Sequence, residues 1–447
     1  MRPAVLPFRN LLFLTTDTNH LNHLLTGAFM DRTQGFHHDL ETQSPSVRAS
    51  RQWHSIQALV EKALSFEGEF RERLSSAGIV ADEIRSLDDF TSIPVLRKKE
   101  LSRLQRERGL SWFLSCQPGQ LSRIYQSPGP IYDPEGRGAD YWGWAEAFYA
   151  AGFRCGDLAQ MTFSYHLTPA GLMLEEPLRA LGCAVVPAGP GNSSVQLQLM
   201  QELPVTAFVG MTSFLKSLGE KARDKGLDPK KDFGLKVAFV AAERLPESLR
   251  TEVQDMFGIL IRQGYGTADV GCIAYECPML GGMHLSSRCF VEICDPATGL
   301  PVPTGELGEV VVTPFTPDYP LIRLATGDLS RLSEESCDCG RTAPKLMGIL
   351  GRVDDTAKVR GQFIYPAQVA QAMSRFPQIL RHQVVVSNAG GKETLTLRIE
   401  TNGPADPGVV GAAFQEAIKL RPVVATLGLG ETIPEGAPAL VDERTYD

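Results

Sequence analysis

The hydrophobic rhythm of the chain changes twice along its length. From Trp53 the apolar positions Trp53, Ile56, Val60, Ala63 and Leu64 recur at helical spacing. That spacing predicts an amphipathic helix packed on a larger body, and a second helix is expected over 70–77. Between residues 159 and 240 short apolar runs alternate with helical patterns. Strands are expected over 159–164, 184–187, 207–210 and 237–240, with helices over 171–181, 194–202 and 213–225. Strands separated by helix-length segments predict a parallel sheet with crossover helices. After residue 366 the pattern becomes a helix over 366–376, strands over 383–387 and 394–400 joined by Asn388-Ala-Gly-Gly391, and a helix over 408–420. The fold class expected is α/β, a large N-terminal domain followed by a small α+β C-terminal domain. The expected division is an N-terminal extension over 1–50, a large domain over 51–351 and the small domain over 352–447.

Composition narrows the function classes. The chain has 447 residues, 43% hydrophobic and 21% charged, with a net charge of -8. No long Lys/Arg run is present, which argues against a nucleic-acid surface. The opening apolar run, Leu11-Leu-Phe-Leu14, is too short for a signal peptide, and no stretch approaches the length of a membrane span. Nine cysteines without secretory context favour reduced thiols, some of them on metal, and a cytoplasmic location is expected. His20, His23, His37 and His38 fall on no common face, and His37-His38 is read as solvated rather than metal-binding.

The chemistry concentrates between Arg323 and Pro366. Asp328, following Thr326-Gly327 at an expected strand end, can accept two hydrogen bonds from a ribose diol. Gly351-Arg352-Val-Asp354-Asp355, followed by Arg360-Gly361 and Pro366, suits a joint between domains. On these residues the chain resembles the adenylate-forming enzymes, and Cys337-Asp-Cys339-Gly340-Arg341 narrows the likeness to the phenylacetate-CoA ligase family, over nearly the whole chain after residue 50. The resemblance implies an adenylate-forming large domain with a mobile C-terminal lid, and roles for individual residues. Tyr265 would stack on adenine beside Glu243. Asp328, Arg352 and Lys358 would hold the ribose and phosphate, Asp269 would stand where a magnesium-binding Glu is usual, Asp354 would be the pivot, and Gly361 would let the backbone pass a pantetheine arm. Phe163-Ser-Tyr165-His166-Leu-Thr-Pro-Ala-Gly171 matches the acid-substrate pocket; His166 is read equally well as facing a carboxylate or as a helix-cap or half-buried histidine. Three thiolates and one imidazole suit a closed zinc site, and the resemblance implies the set Cys277, His284, Cys337 and Cys339, structural in role, with buried free thiols as the alternative.

The likeness breaks where the phosphates should lie. Aligned on Ser127, Gly129 and Pro134, the expected phosphate loop has Pro128 and Pro130 in place of N–H donors, Ile131 in place of a hydroxyl and Asp133 in place of a lysine. Ala268 replaces the hydroxyl of the next motif, and Ala437 the lid lysine. Each lost donor costs about a hundredfold to a thousandfold in rate. Zinc, CoA and an AMP or adenosine moiety are therefore the expected cofactors, and ATP–Mg the weakest. Three readings follow: a thioester-acting acyl transferase, an ATP-dependent aryl-acid or acyl-CoA ligase that rebuilds its phosphate site from Arg137, Lys345 or Lys358, and a non-catalytic nucleotide or acyl-CoA binder. The expected partners are an aryl or acyl carboxylate or thioester, with an acyl-carrier protein and a second copy of the chain as candidates.

Overall fold

The structure is a computed structural model that describes residues 31–128, 130–359, 362–388, 394–428 and 431–444. His20, His23 and the apolar run at 11–14 lie outside the described residues. The architecture is α/β, and the central sheet has nine strands. Val237–Val240 pairs in parallel with Ala207–Gly210 on one side and Leu260–Thr267 on the other; Ala207–Gly210, Leu158–Met161 and Ala184–Pro187 continue the parallel half. Beyond Leu260–Thr267 the pairing turns antiparallel, through Gly271–Glu276, Met283–Leu285, Lys345–Leu346 and Leu332–Ser333. Strands buried on both faces read as continuous apolar runs, and Val237–Val240 and Ala207–Gly210 are buried throughout.

A second, smaller sheet pairs Leu324–Ser330 with Leu96–Arg97 and Gly308–Pro314, and Gly308–Pro314 with Cys289–Cys294. Cys289 and Cys294 are buried there as packing residues. Arg323, at the entry to Leu324–Ser330, is 1% exposed and adopts a φ of 53°. Its guanidinium offsets that strain by a fork onto Glu292, at 2.8 and 3.1 Å, and by donating to the carbonyls of Ile93 and Gly299. The last sheet, ordered Val423–Thr426, Thr394–Thr401, Ile379–Ser387, Leu440–Asp442, packs with helices Pro366–Met373 and Pro407–Ile418 around its own apolar core, centred on Val384, Leu397 and Phe414.

The amino-terminal part differs from expectation. The first long helix runs Pro45–Leu64, because Ser44 caps it through Val47 N and Pro45 fills its first turn. Residues 45–50 therefore belong to a helix whose buried face includes Ile56, Leu59 and Val60. The expectation that His37-His38 is merely solvated is corrected. His37 is exposed, but His38 Nε2 sits 3.2 Å from the buried Glu146 carboxylate, which raises the His38 pKa. Next to it Glu41, 3% exposed, pairs with Arg341 at 2.6 Å, from the far end of the chain. Packing against residues some 300 positions away leaves no local pattern.

Candidate active site

The bulge between Leu324–Ser330 and Gly308–Pro314 aims the key carboxylate. Glu309 pairs with Leu329 and Val311 with Ala325, so residues 326–328 face Val310 alone. Thr326 Oγ1 donates to Val310 O at 3.0 Å and Gly327 N donates to Glu309 Oε1 at 3.0 Å. Gly327 has a φ of 82°, and a Cβ there would come within 3.2 Å of Arg352 Nη2. Asp328 thus lies inside a strand, not at its end, and is the direct antiparallel partner of Arg352. Its Oδ2 accepts from the Tyr265 hydroxyl at 2.8 Å and its Oδ1 from Arg352 Nη1 at 2.8 Å. Burial and then the Asp328 charge push the Tyr265 hydroxyl well above its usual pKa, so it remains a donor. A carboxylate keeps spare lone pairs after two such bonds, so Asp328 retains the capacity to accept from a diol.

The stretch expected to hold the phosphates is a β-hairpin. Arg123–Ser127 and Ile131–Glu135 pair in register up to Ser127 opposite Ile131, so the ladder runs on to that pair. The expected loop over 127–134 is corrected accordingly: Ile131 and Asp133 are strand residues pointing inward, with Tyr132 exposed between them. Gln105, on the Lys98–Arg108 helix, fastens the strand with its amide. Its Nε2 donates to Tyr132 O at 2.9 Å and to Tyr319 Oη at 3.0 Å, and its Oε1 accepts from Tyr132 N at 2.7 Å.

Asp133 is 0% exposed, and among the described residues neither carboxylate oxygen has a hydrogen-bond partner. Burial first, and then the charge of Asp269, push its pKa up to about 7, against smaller opposing effects of Ser127 and Lys98. Asp269, 3% exposed, meets Lys98 Nζ at 2.6 Å through Oδ1, while its Oδ2 lacks a partner. Pro128 and Ile131 of the hairpin, and Thr326, Gly327 and Arg352 beside Asp328, line one cleft of about 250 Å³ together with Arg97, Lys98 and Lys99.

The structure distributes the other expected residues unevenly. Asp354 lines the same cleft, exposed in the turn Val353–Asp355. Lys358 lies in the strand Ala357–Val359, and Gly361 falls outside the described residues. The Glu243 carboxylate is turned to the start of helix Thr212–Asp224, accepting from Ser213 N and Oγ at 2.7 Å each. In the segment expected to hold the acid, Tyr165 Oη donates to Glu175 at 2.7 Å, and His166 sits exposed on the loop before helix Ala170–Ala180. A Cβ on Gly171 would reach Ser164 O at 2.7 Å, so the loop closes onto that helix only with glycine.

Neither Arg137 nor Lys345 lines the cleft: Arg137 donates to Gln120 O, and Lys345 is buried in the central sheet. Arg97, Lys98, Lys99 and Arg352 do line it, and sequence reasoning missed Lys98, which reaches Asp269. Its only signal is its place between a short strand and a helix, shared by many surface lysines. Gln105 was missed for the same reason.

Cys277, His284, Cys337 and Cys339 converge, with one ligand atom from each within 4.8 Å of the others. Tetrahedral zinc bonds of about 2.3 Å to sulfur and 2.0 Å to nitrogen require S···S near ~3.8 Å and S···N near ~3.5 Å. Cys277 and Cys337 are 3.6 Å apart and Cys339 Sγ lies 3.5 Å from His284 Nε2. His284 Nδ1 faces Ala343 O at 3.0 Å, which fixes the ring with Nε2 toward the thiols. A hydrogen bond from Cys277, aided by His284, holds the Cys339 pKa down. The donor set fits zinc. Among the described residues this is the one group of three or more such side chains close enough to share an ion.

Fold and cleft together define an enzyme of the adenylate-forming class. A solved open conformation of 2-hydroxyisobutyryl-CoA ligase, in complex with 2-HIB-AMP and CoA, shares the fold: its TM-score is 0.81, at 23% identity, over 92% of this chain and 97% of that one. Residues 164–314 match the AMP-binding enzyme family. The phenylacetate-coenzyme A ligase of Thermus thermophilus is 30% identical over 82% of this chain and 84% of its own length. That of Aromatoleum evansii is 28% identical over 76% and 78%. The chain belongs to the phenylacetate-CoA ligase family.

Proposed function

We propose that this chain acts on aryl or acyl thioesters of CoA or of a carrier thiol, with ATP-driven adenylation reduced. The observation that carries this reading is the closed hairpin at the phosphate end. Two prolines without N–H groups occupy the turn, and a buried carboxyl stands where an ammonium is needed. The adenosine end supports it from the other side, through Tyr265, Asp328 and Arg352. In the transfer, the acceptor sulfur forms a bond to the acyl carbon, the bond to the CoA sulfur breaks, and the acceptor's proton passes to the departing thiolate. Asp354 is the proposed pivot of the small domain, and the Cys277–His284–Cys337–Cys339 set is the proposed structural zinc site, with no open position for chemistry.

The test is calorimetric titration with AMP, CoA and ATP–Mg, beside pyrophosphate exchange with a panel of aryl acids. AMP or CoA should bind at least about tenfold more tightly than ATP–Mg, without acid-dependent exchange. Turnover of an aryl-CoA with an acceptor thiol then separates a transferase from a binding protein. A second reading, an ordinary ligase, is favoured by Lys98, whose ammonium enters the cleft beside Arg97 and Lys99. Tight ATP–Mg binding with acid-dependent exchange would establish that reading instead. For the metal, purified protein should carry about one zinc per chain, and Cys339→Ser should lose zinc and stability together; protein free of zinc would overturn the assignment.

A further inference from the structure

A second cavity, of about 230 Å³, lies between the Pro45–Leu64 helix and the body of the protein and shares no lining residue with the nucleotide cleft. Arg48 and Arg51 line it, one helical turn apart on the same face. Arg48 is 9% exposed and Arg51 half-buried. Among the described residues neither forms an ion pair. Arg48 donates to Gln43 O at 3.0 Å and to the Thr342 hydroxyl, and Arg51 to Gln43 Oε1 at 3.2 Å and Ser287 O at 3.0 Å.

The other charges of the cavity are answered. Arg341 pairs with Glu41, and Glu146 is held by Ser286 and Ser287 and faces His38. Three guanidiniums therefore meet two carboxylates on this wall, an excess of one positive charge before His38 is counted. Burial, and then repulsion from Arg51, lower the Arg48 pKa, the mark of a cation held without a counterion. Most of the rest of the wall is apolar, with Leu285, Phe290, Val291 and Leu332, beside Gln52 and Tyr275.

We infer that this cavity binds a small organic carboxylate with a compact apolar body, of about the size of a single ring, its carboxylate bridging Arg48 and Arg51. A guanidinium pair gives both carboxylate oxygens charge-assisted donors, and the apolar wall favours a hydrocarbon body over an inorganic anion. The inference does not depend on how the nucleotide cleft handles ATP.

The experiment is fluorine NMR of the full chain with 4-fluorophenylacetate. One bound signal should persist with the nucleotide cleft saturated by AMP, and should weaken at least about tenfold in Arg51→Gln. It should also vanish in Ala49→Trp, which blocks the mouth from an exposed helical position and so leaves the core intact. 4-Fluorophenylacetamide should give no such signal, and inorganic phosphate should not displace it. Absence of the signal, its survival in both variants, equal binding of the amide, or displacement by phosphate would each overturn the assignment.

Discussion

Two regions of the cleft, one at the strand Leu324–Ser330 and one at the hairpin Arg123–Ser127 with Ile131–Glu135, are left in opposite electrostatic states. At Leu324–Ser330, the end proposed for the adenosine, both oxygens of Asp328 are engaged, one by the Tyr265 hydroxyl and one by a guanidinium, and the bulge at Gly327 fixes their direction. At the hairpin, among the described residues, Asp133 has no hydrogen-bond partner and Lys98 pairs with one oxygen of Asp269. The first arrangement leaves Asp328 lone pairs free for a diol; at the second, two buried carboxyls stand behind a cleft whose lining also carries Arg97, Lys98 and Lys99. If the proposed division of the cleft holds, one half of a bipartite site is kept while the other is remade, because the two halves hang on different strands.

The largest test of this contrast is pH. The Asp133 carboxyl keeps its proton up to about pH 7 in the fold, whereas an unfolded chain loses it near 3.8. Between those values the folded state binds more protons, so stability is full below about pH 4 and falls as pH rises through 7. The loss from this one group is up to about 4 kcal/mol by pH 8. Urea unfolding at pH 4.5, 6 and 8 should show that slope in the parent and a flattened one in Asp133→Asn. Identical slopes would mean that Asp133 is not buried as an acid.

Next in size is Lys98→Ala, which leaves Asp269 buried without its cation and should cost about 3 kcal/mol at pH 8. In the Asp133→Asn background the cost should shrink, because one of the two competing carboxyls is gone; additive losses would show that the three groups do not form one cluster. Gln105→Ala follows, at roughly 2 kcal/mol, through the amide bonds that hold Tyr132 in its strand. If the hairpin is what excludes the polyphosphate, this variant should also bind ATP–Mg better than the parent. Unchanged ATP–Mg affinity with the stability loss would remove the hairpin from the explanation.

How far the sequence reaches follows the same division. The strands over 184–187, 207–210 and 237–240 were legible to the residue, because short β-branched and aromatic runs between helical patterns leave little choice. The Cys and His residues of the metal cluster were legible by ligand type, and the Asp328–Arg352 pair by motif. Asp133 was read as a loop residue, because Pro-Gly-Pro and Pro134 signal a turn; only the pairing of Ser127 with Ile131 shows how short that turn is. Lys98, Gln105 and the contact of Glu41 with Arg341 depend on partners far along the chain, where periodicity carries no information.

The smallest effect on stability belongs to Arg352→Ala, and it sharpens the contrast most. Arg352 is 54% exposed, so its pair with Asp328 is a surface ion pair, contributing about 0.2–1 kcal/mol to folding. Its value for binding is larger, because a guanidinium facing a ribose or a single phosphate makes charge-assisted bonds in a partly closed cleft. AMP and CoA should therefore bind about tenfold more weakly to Arg352→Ala while the unfolding midpoint hardly moves. ATP–Mg binding should change less, since the adenosine end is not what limits it. Tyr265→Phe gives the internal control: it removes the other bond to Asp328 but no charge, so it should weaken AMP without altering the salt dependence that Arg352 confers. If Arg352→Ala leaves AMP and CoA affinity intact, the adenosine end lies elsewhere and the division of the cleft into a kept half and a remade half does not hold.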